Sequence, residues 1–229
     1  MKQLVTTAII LSRTDYGEAD RILNLLTPEY GKLTLMARGV RRVKSKLAGG
    51  IELFSVSEIT FIKGRGEVGT LVSTRLIKHY ERIVGDLDRT MLGYELIKQL
   101  HKVTEDEPEP EYFEVLQDAF EALNDKTVTI QLIRFWFAAQ LLRMSGHTPN
   151  LQTDDHGEKL AADRLYEFGS DTMSFMYSPD HGRFDATHIK FLRLAFAGNT
   201  AIVLAHVQGS ERILDDVQPL LQHLTQLAY

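Results

Sequence analysis

The spacing of apolar residues changes near residue 79, and this change constrains the fold more than any other feature of the sequence. Before it, short runs rich in Val, Ile, Leu and Thr are separated by turn residues, which is typical of β-strands. After it, apolar residues recur every three or four positions, which is typical of amphipathic α-helices. The sequence therefore predicts a β-rich domain over residues 1–78 and a mainly helical domain over residues 79–229.

Five candidate strands lie in the first domain, at residues 4–13, 20–27, 32–38, 52–62 and 70–77. Thr27, Pro28 and Gly31 predict a hairpin turn, because Pro presets φ and Gly tolerates a positive φ. In the fourth run the apolar positions slip by one residue between Val56 and Ile59, which predicts a β-bulge in that strand. The predicted fold class is α+β, with a five-stranded OB-type barrel followed by a mainly helical domain.

Helices are predicted around residues 89–103, 112–123, 129–146, 159–168, 186–197 and 211–227. The run at 129–146 is apolar around most of its circumference, which predicts a central helix with Gly146 at its C-terminal cap. Residues 171–185 are predicted to form strand and turn. The five acids and two prolines of residues 105–111 predict a solvated loop between helices.

Charge is divided in the same way as periodicity. Residues 1–80 carry 13 Lys and Arg against 7 Asp and Glu, whereas the remainder carries 13 against 24. This asymmetry predicts a polyanion-binding N-terminal domain. Because the chain has no cysteine, disulfides and thiolate metal sites are excluded, and we expect a cytoplasmic protein. No signal peptide or membrane span is predicted, since the most apolar helix is interrupted by polar and charged residues.

The positive charge is concentrated in MARGVRRVKSK, residues 36–46. Lys32 and Arg38 alternate with apolar positions of the third strand, so both are predicted to point from the outer face of the barrel. The following cations are predicted to occupy a loop at the barrel rim. The candidate DNA-binding residues are Lys32, Arg38, Arg41, Arg42, Lys44 and Lys46.

A cationic loop beside an OB barrel is a common way to hold a single strand, because cations follow the phosphates while aromatic groups stack on bases. Aromatic residues are sparse in this domain: Tyr16, Tyr30, Phe54 and Phe61, of which the last two are predicted to be core. The sequence therefore favours phosphate contacts over recognition of bases.

The run of residues 18–61, together with LLRMSGHTPNL at 141–151, resembles the RecO family of bacterial recombination mediators. The resemblance implies an OB barrel followed by a helical domain, binding of single- and double-stranded DNA, strand annealing, and assistance in loading the RecA recombinase. The partners that it implies are RecR and the acidic, hydrophobic tail of the single-strand-binding protein. Its most specific residues are Thr27, Gly31, Lys32, Ala37, Arg38, Gly39, Arg41, Arg42 and Ser45.

The chain departs from many members of that family in the region of residues 149–188. Those relatives carry two CxxC pairs that resemble a zinc site, and here every thiolate is missing. The spacing of the remaining His and Asp residues matches no familiar zinc pattern, so no metal site is predicted. These residues are Asp154, Asp155, His156, His181, Asp185 and His188.

Three alternatives to a DNA-binding mediator follow from the sequence. GRGEVG, residues 64–69, matches a dinucleotide fingerprint, but a strand pattern follows it, so a hairpin turn is predicted and no cofactor. A metal-dependent nuclease using Asp154, Asp155 and His156 rests only on adjacent carboxylates. The main alternative is a protein-interaction adaptor whose basic loop docks an acidic partner. The prediction is a non-enzymatic mediator without a small-molecule substrate.

Overall fold

The computed structural model describes residues 2–64, 66–104 and 110–228. The chain forms two compact units, Met1–Asp125 and Lys126–Tyr229. Strand gives way to helix between His79 and Glu81, near the change in periodicity, and the first three helices belong to the same unit as the strands. Arg65 and most of the predicted acidic loop lie outside the described residues.

The five strands of the first unit close into a barrel in the order β1-β2-β3-β5-β4, which is the OB arrangement and confirms the predicted fold class. Neighbouring strands are antiparallel except β3 and β5, which are parallel. Buried residues from every strand fill the interior, among them Ile10, Leu23, Leu35, Ile59 and Leu71. The strands are β1 Gln3–Tyr16, β2 Asp20–Thr27, β3 Gly31–Ala37, β4 Ser55–Ile62 and β5 Val68–His79.

The predicted bulge in β4 is wrong, because the extra residues lie on β5. β4 pairs with β1 without interruption, whereas its pairing with β5 skips Ile77 and Val72. The slip in the apolar pattern has another cause. Ile59 belongs to the barrel interior, and Val56, three residues away on the opposite face, is also buried. A strand that is buried on both faces loses strict alternation.

The hairpin turn between β2 and β3 is confirmed. Gly31 has a φ of +61°, a conformation that favours glycine. The Thr27 hydroxyl accepts a hydrogen bond from the Tyr30 backbone N–H at 3.1 Å and donates to the Gly31 carbonyl at 3.0 Å. The turn therefore fixes where β3 begins, and through β3 it fixes where the basic stretch leaves the barrel.

Three helices complete the first unit, and Phe54 joins them to the barrel. This residue precedes β4 with a positive φ of 54° and is only 2% exposed. Its ring packs edge-on against Tyr94 and Phe120, with centroids 5.3 and 5.4 Å away. A Cβ at Gly93 would lie 2.5 Å from its ring, so this approach requires glycine. The helices are α1 Glu81–Val84, α2 Leu87–Val103 and α3 Pro110–Asn124.

The second unit is built on a buried central helix, as predicted. This helix, α4, buries Trp136 and packs against the three later helices, and Gly146 follows its end with a φ of +79°. A three-stranded sheet of order β6-β8-β7 lies between α4 and α5 in the chain. The elements are α4 Ile130–Met144, β6 Asn150–Asp154, β7 Tyr166–Gly169, β8 Ser174–Tyr177, α5 Ala186–Phe196, α6 Ala201–Ala205 and α7 Ser210–Ala228.

The predicted helix at residues 159–168 is wrong, because its end forms β7. Tyr166 is fully buried, pairs with Tyr177 across the sheet and packs edge-on against Phe175. Cross-strand aromatic packing outweighs the weak local preference for helix here. Residues 171–185 contain β8 and turns, and the helices predicted at 186–197 and 211–227 are present within two residues of those bounds.

Candidate nucleic-acid interface

The basic stretch forms the loop that leaves β3, and apolar residues anchor it. Val40 and Ile51 are buried in the barrel core, and Leu47 packs against that core. Gly39 turns the chain with a φ of +65°, and its N–H donates to the Asp20 carboxylate at 2.7 Å. We call residues 38–46 the basic loop. Its anchored backbone restricts where its side chains project.

All five cations of the basic loop are exposed to solvent. Arg42 and Lys44 flank Val43, whose side chain is fully exposed. Like charges within nine residues repel one another, and an anion such as a phosphate relieves that repulsion. The structure thus brings five of the six predicted site residues onto one exposed segment: Arg38, Arg41, Arg42, Lys44 and Lys46.

Arg41 is oriented by acidic and carbonyl groups of the β1–β2 hairpin. Its Nε lies 3.4 Å from an Asp15 carboxylate oxygen, and its Nη1 donates to the Gly17 carbonyl at 3.2 Å. Asp15 also accepts a hydrogen bond of 2.8 Å from Arg21. This bond, with the nearby charge of Arg41, lowers the pKa of Asp15 below its ordinary value. The ionised carboxylate thus competes with any phosphate for Arg41.

Lys32 does not join the basic loop. It lies near the start of β3, six residues before Arg38, which corresponds to about 20 Å along a strand. Its ammonium donates to the Thr104 carbonyl at 2.6 Å, just past the end of α2. The side chain lies on the outer face of the strand, as predicted, but it is partly buried there. This contact spans 72 positions of sequence, so strand alternation alone does not predict it.

Sequence reasoning missed a groove of about 480 Å³ between the outer face of β1–β3 and helix α2. Asn24 of β2 and Tyr94 of α2 both line it, and both are exposed. The sequence did contain one signal for this groove: Asn24 is a polar residue between apolar residues on both sides, and Asn is uncommon in strands. The sequence gave no indication that Tyr94 lies beside the barrel, because this residue belongs to a helical pattern that begins after the barrel strands.

The His and Asp residues of 154–188 have structural partners or face solvent. His188 lies 2.8 Å from Asp185 and 3.2 Å from Asp216, and with Asp185 it caps α5. His156 is 81% exposed. Over residues 2–64, 66–104 and 110–228, no three His, Asp or Glu side chains are placed to hold a metal ion.

The glycines of residues 64–69 connect two antiparallel strands, β4 and β5, and no helix follows them. This geometry differs from a dinucleotide site, where the glycines open a helix. In the described part of the chain, every helix is too short or too polar to cross a bilayer.

Comparison with known proteins assigns the family. The family described as "Recombination protein O N terminal" matches residues 1–80, and "Recombination protein O C terminal" matches residues 85–198. A protein named DNA repair protein RecO from one strain of Dehalococcoides mccartyi is 30% identical over 207 residues, covering 89% of this chain and 77% of the relative. The chain therefore belongs to the RecO family of DNA repair and recombination proteins.

Other relatives carry the same name over shorter alignments. The RecO of a second Dehalococcoides mccartyi strain is 36% identical over 148 residues, which is 64% of this chain and 58% of that protein. The RecO of Halalkalibacterium halodurans is 33% identical over 144 residues, which is 62% of this chain and 56% of that protein. The matched region thus spans between about half and three quarters of these relatives' length.

Proposed function

We propose that this chain is a non-enzymatic recombination mediator that binds single- and double-stranded DNA and anneals complementary strands. The observation that carries the proposal is the anchored basic loop, which holds five exposed cations in a chain with a net charge of −5. Membership of the RecO family supports the recombination context.

The mechanism follows from charge neutralisation. Two complementary strands repel each other through their phosphates, and cations that replace the counterions of one strand reduce that repulsion. Contacts to phosphates do not depend on base identity, so the loop serves strands of any sequence. No covalent bond is made or broken in this process, and a site that performs it needs no catalytic group.

The proposal extends to partners and location through the family resemblance. We propose that the chain assists loading of the RecA recombinase, together with RecR and with the acidic tail of the single-strand-binding protein. Bacterial chromosomal DNA lies in the cytoplasm, so the proposed role places the protein there. The second unit, which carries 9 basic and 11 acidic residues, has no excess of positive charge to attract DNA and is the proposed site of partner contacts.

The test replaces Arg41, Arg42 and Lys44 together with Glu in the full chain. We expect oligonucleotides of any sequence to bind at least about ten-fold more weakly, because three phosphate contacts become repulsive. The slope of log K against log salt for single strands becomes shallower by about 0.7 per lost contact. Fluorescence anisotropy at several salt concentrations measures both quantities, and a strand-annealing assay should fail in parallel.

A matched control reverses three exposed cations of the second unit, Lys159, Lys190 and Arg212, to Glu. It changes the net charge of the chain equally and should leave DNA affinity close to that of the wild type. The unfolding free energy of both variants should stay within about 0.5 kcal/mol of wild type, as is usual for surface substitutions. Unchanged affinity and salt slope in a folded loop variant would contradict DNA binding by the loop and favour the adaptor hypothesis.

A further inference from the structure

The groove on the outer face of β1–β3 has a polar floor. Asn24 donates from Nδ2 to the Ser12 hydroxyl at 2.8 Å, and its Oδ1 accepts from the Thr34 hydroxyl at 3.0 Å. The three residues come from three adjacent strands and all line the groove. The two hydrogen bonds fix which way the Asn24 amide points.

An amide held in this way still has binding capacity. The Nδ2 group carries two N–H donors and the Oδ1 atom has two lone pairs, and Ser12 and Thr34 each use one. One donor and one acceptor therefore remain on an exposed side chain that lines the groove. A paired donor and acceptor is the pattern that Asn offers to the edge of a nucleobase, as in its bidentate contact with adenine.

The opposite wall supplies an aromatic ring. Tyr94 of α2 is 46% exposed, and its ring is held edge-on against buried Phe54. A ring that is fixed on one side and open on the other is a stacking platform for a base. Ile97, one turn further along α2, adds a buried apolar contact to the same wall.

Basic side chains also line the groove. Lys98 and His101 project from α2, and Lys32 closes one side through its bond to the Thr104 carbonyl. The groove continues along β3 into a second cavity of about 280 Å³ that reaches Lys63, whose ammonium lies 5.2 Å from the Tyr30 ring centroid. Glu67 is the acidic residue that lines both cavities.

We propose that this groove is a nucleobase-binding site, in which a base of single-stranded DNA stacks on Tyr94 and hydrogen-bonds to Asn24. The inference rests on the proposed function and deepens it, because it assigns base contacts to a protein whose basic loop contacts only phosphates. Thr34 lies on β3, four residues before Arg38, which follows the end of that strand. Four residues of extended chain span about 13 Å. One single strand can therefore reach both the groove and the basic loop. A base-paired duplex has no free base to insert, so the groove selects single strands.

The test compares an intact single-stranded oligonucleotide with an abasic one of equal length, by fluorescence anisotropy on the full chain. In the Tyr94→Ala variant we expect affinity for the intact strand to fall by roughly 5- to 100-fold, the range for loss of one stacked base. Affinity for the abasic strand and for duplex DNA should stay at the wild-type value. The salt slope should not change, because no phosphate contact is lost.

Two further variants separate stacking from folding defects. Tyr94→Phe keeps the ring and should bind like the wild type, whereas Asn24→Ala on the exposed strand surface should lose roughly 2- to 10-fold, as for one or two hydrogen bonds. Photocrosslinking of the unmodified protein to a strand carrying halogenated deoxyuridine should place the crosslink on Tyr94 or its groove neighbours.

The outcomes separate this inference from the proposed function. If wild type binds intact and abasic strands equally, or if Tyr94→Ala and Asn24→Ala both bind the intact strand like wild type, the groove is not a base site. DNA binding by the basic loop would then stand, since the loop variant tests it separately. If wild type binds no oligonucleotide at all, the proposed function fails, and this inference fails with it.

Discussion

The barrel and the helices that follow it share one compact unit but carry opposite charge. Residues 1–80 have six more basic than acidic residues, whereas residues 81–125 have 4 basic and 13 acidic. The second unit is close to balanced, with 9 basic and 11 acidic residues. The acidic excess of the C-terminal part of the sequence thus lies mostly in residues 81–125, which belong to the same compact unit as the barrel. We expect opposite charges within one unit to orient an approaching polyanion toward the basic loop.

The compact units and the change in periodicity divide the chain at different places. A boundary at residue 79 follows the change in periodicity. It also lies close to the end of the first family match at residue 80 and the start of the second at residue 85. The division into compact units instead falls after Asp125. A fragment of residues 79–229 would therefore remove α1–α3 from the strands with which they form one unit. We expect full-length variants to give clearer results than fragments.

The largest effect is expected where the barrel and helices meet. In Gly93→Ala, the new Cβ would lie 2.5 Å from the Phe54 ring, which Tyr94 and Phe120 hold in place. We expect a net loss of about 1–3 kcal/mol in the free energy of unfolding, even though Ala favours helix over Gly. Urea denaturation of Gly49→Ala is the matched control, because its Cβ meets nothing within 4 Å. Equal stability of the two variants would show that Phe54 does not require the glycine.

A smaller effect is expected from removing the acid that competes for Arg41. Asp15→Asn releases Arg41 and Arg21 from their carboxylate partner. We expect about 2- to 5-fold tighter DNA binding at low salt, and a salt slope steeper by up to about 0.7 if Arg41 gains a phosphate contact. Asp180→Asn, on the exposed surface of the second unit, changes net charge equally and is the control. If both variants bind equally well, net charge alone sets the affinity.

The smallest effect is a difference between two aspartates. Arg21 and Arg41 lower the pKa of Asp15, whereas partial burial, then the charges of Glu114 and Glu121, raise the pKa of Asp118. Asp15 should stabilise the fold above its unfolded-state pKa and lose this effect as pH falls. Asp118 has the opposite sign: its contribution is present at low pH and is lost as pH rises through its folded-state pKa. Carboxyl NMR titration should find Asp15 ionising at lower pH than Asp118; the reverse order would contradict the charge division.

Much of the fold was predictable because local patterns carry it. Short runs of apolar and β-branched residues between turn residues mark all five barrel strands, and Gly31 marks the hairpin turn. The two local errors have tertiary causes. Burial of β4 on both faces imitated a bulge at Val56, and aromatic packing around Tyr166 made a strand where a helix was predicted.

The candidate site was predictable only in part. The five cations of the basic loop lie within nine residues of sequence, so closeness along the chain is enough to bring them together. Lys32 was assigned to the same surface by strand alternation, but its ammonium bonds to Thr104. Asn24 and Tyr94 come from different elements, and no periodicity relates a strand residue to a helix residue 70 positions later.

Local sequence patterns specify the barrel strands, the helical segments and the concentration of positive charge after β3, because each depends on residues close together in the chain. Tertiary structure decided which charges are free and which surfaces meet. The pairing of Arg41 with Asp15, the contact of Phe54 with Gly93 and the groove between β1–β3 and α2 all join elements that are distant in sequence. Packing of strands, loops and helices brings such side chains together, and packing rather than local pattern sets the distances between them.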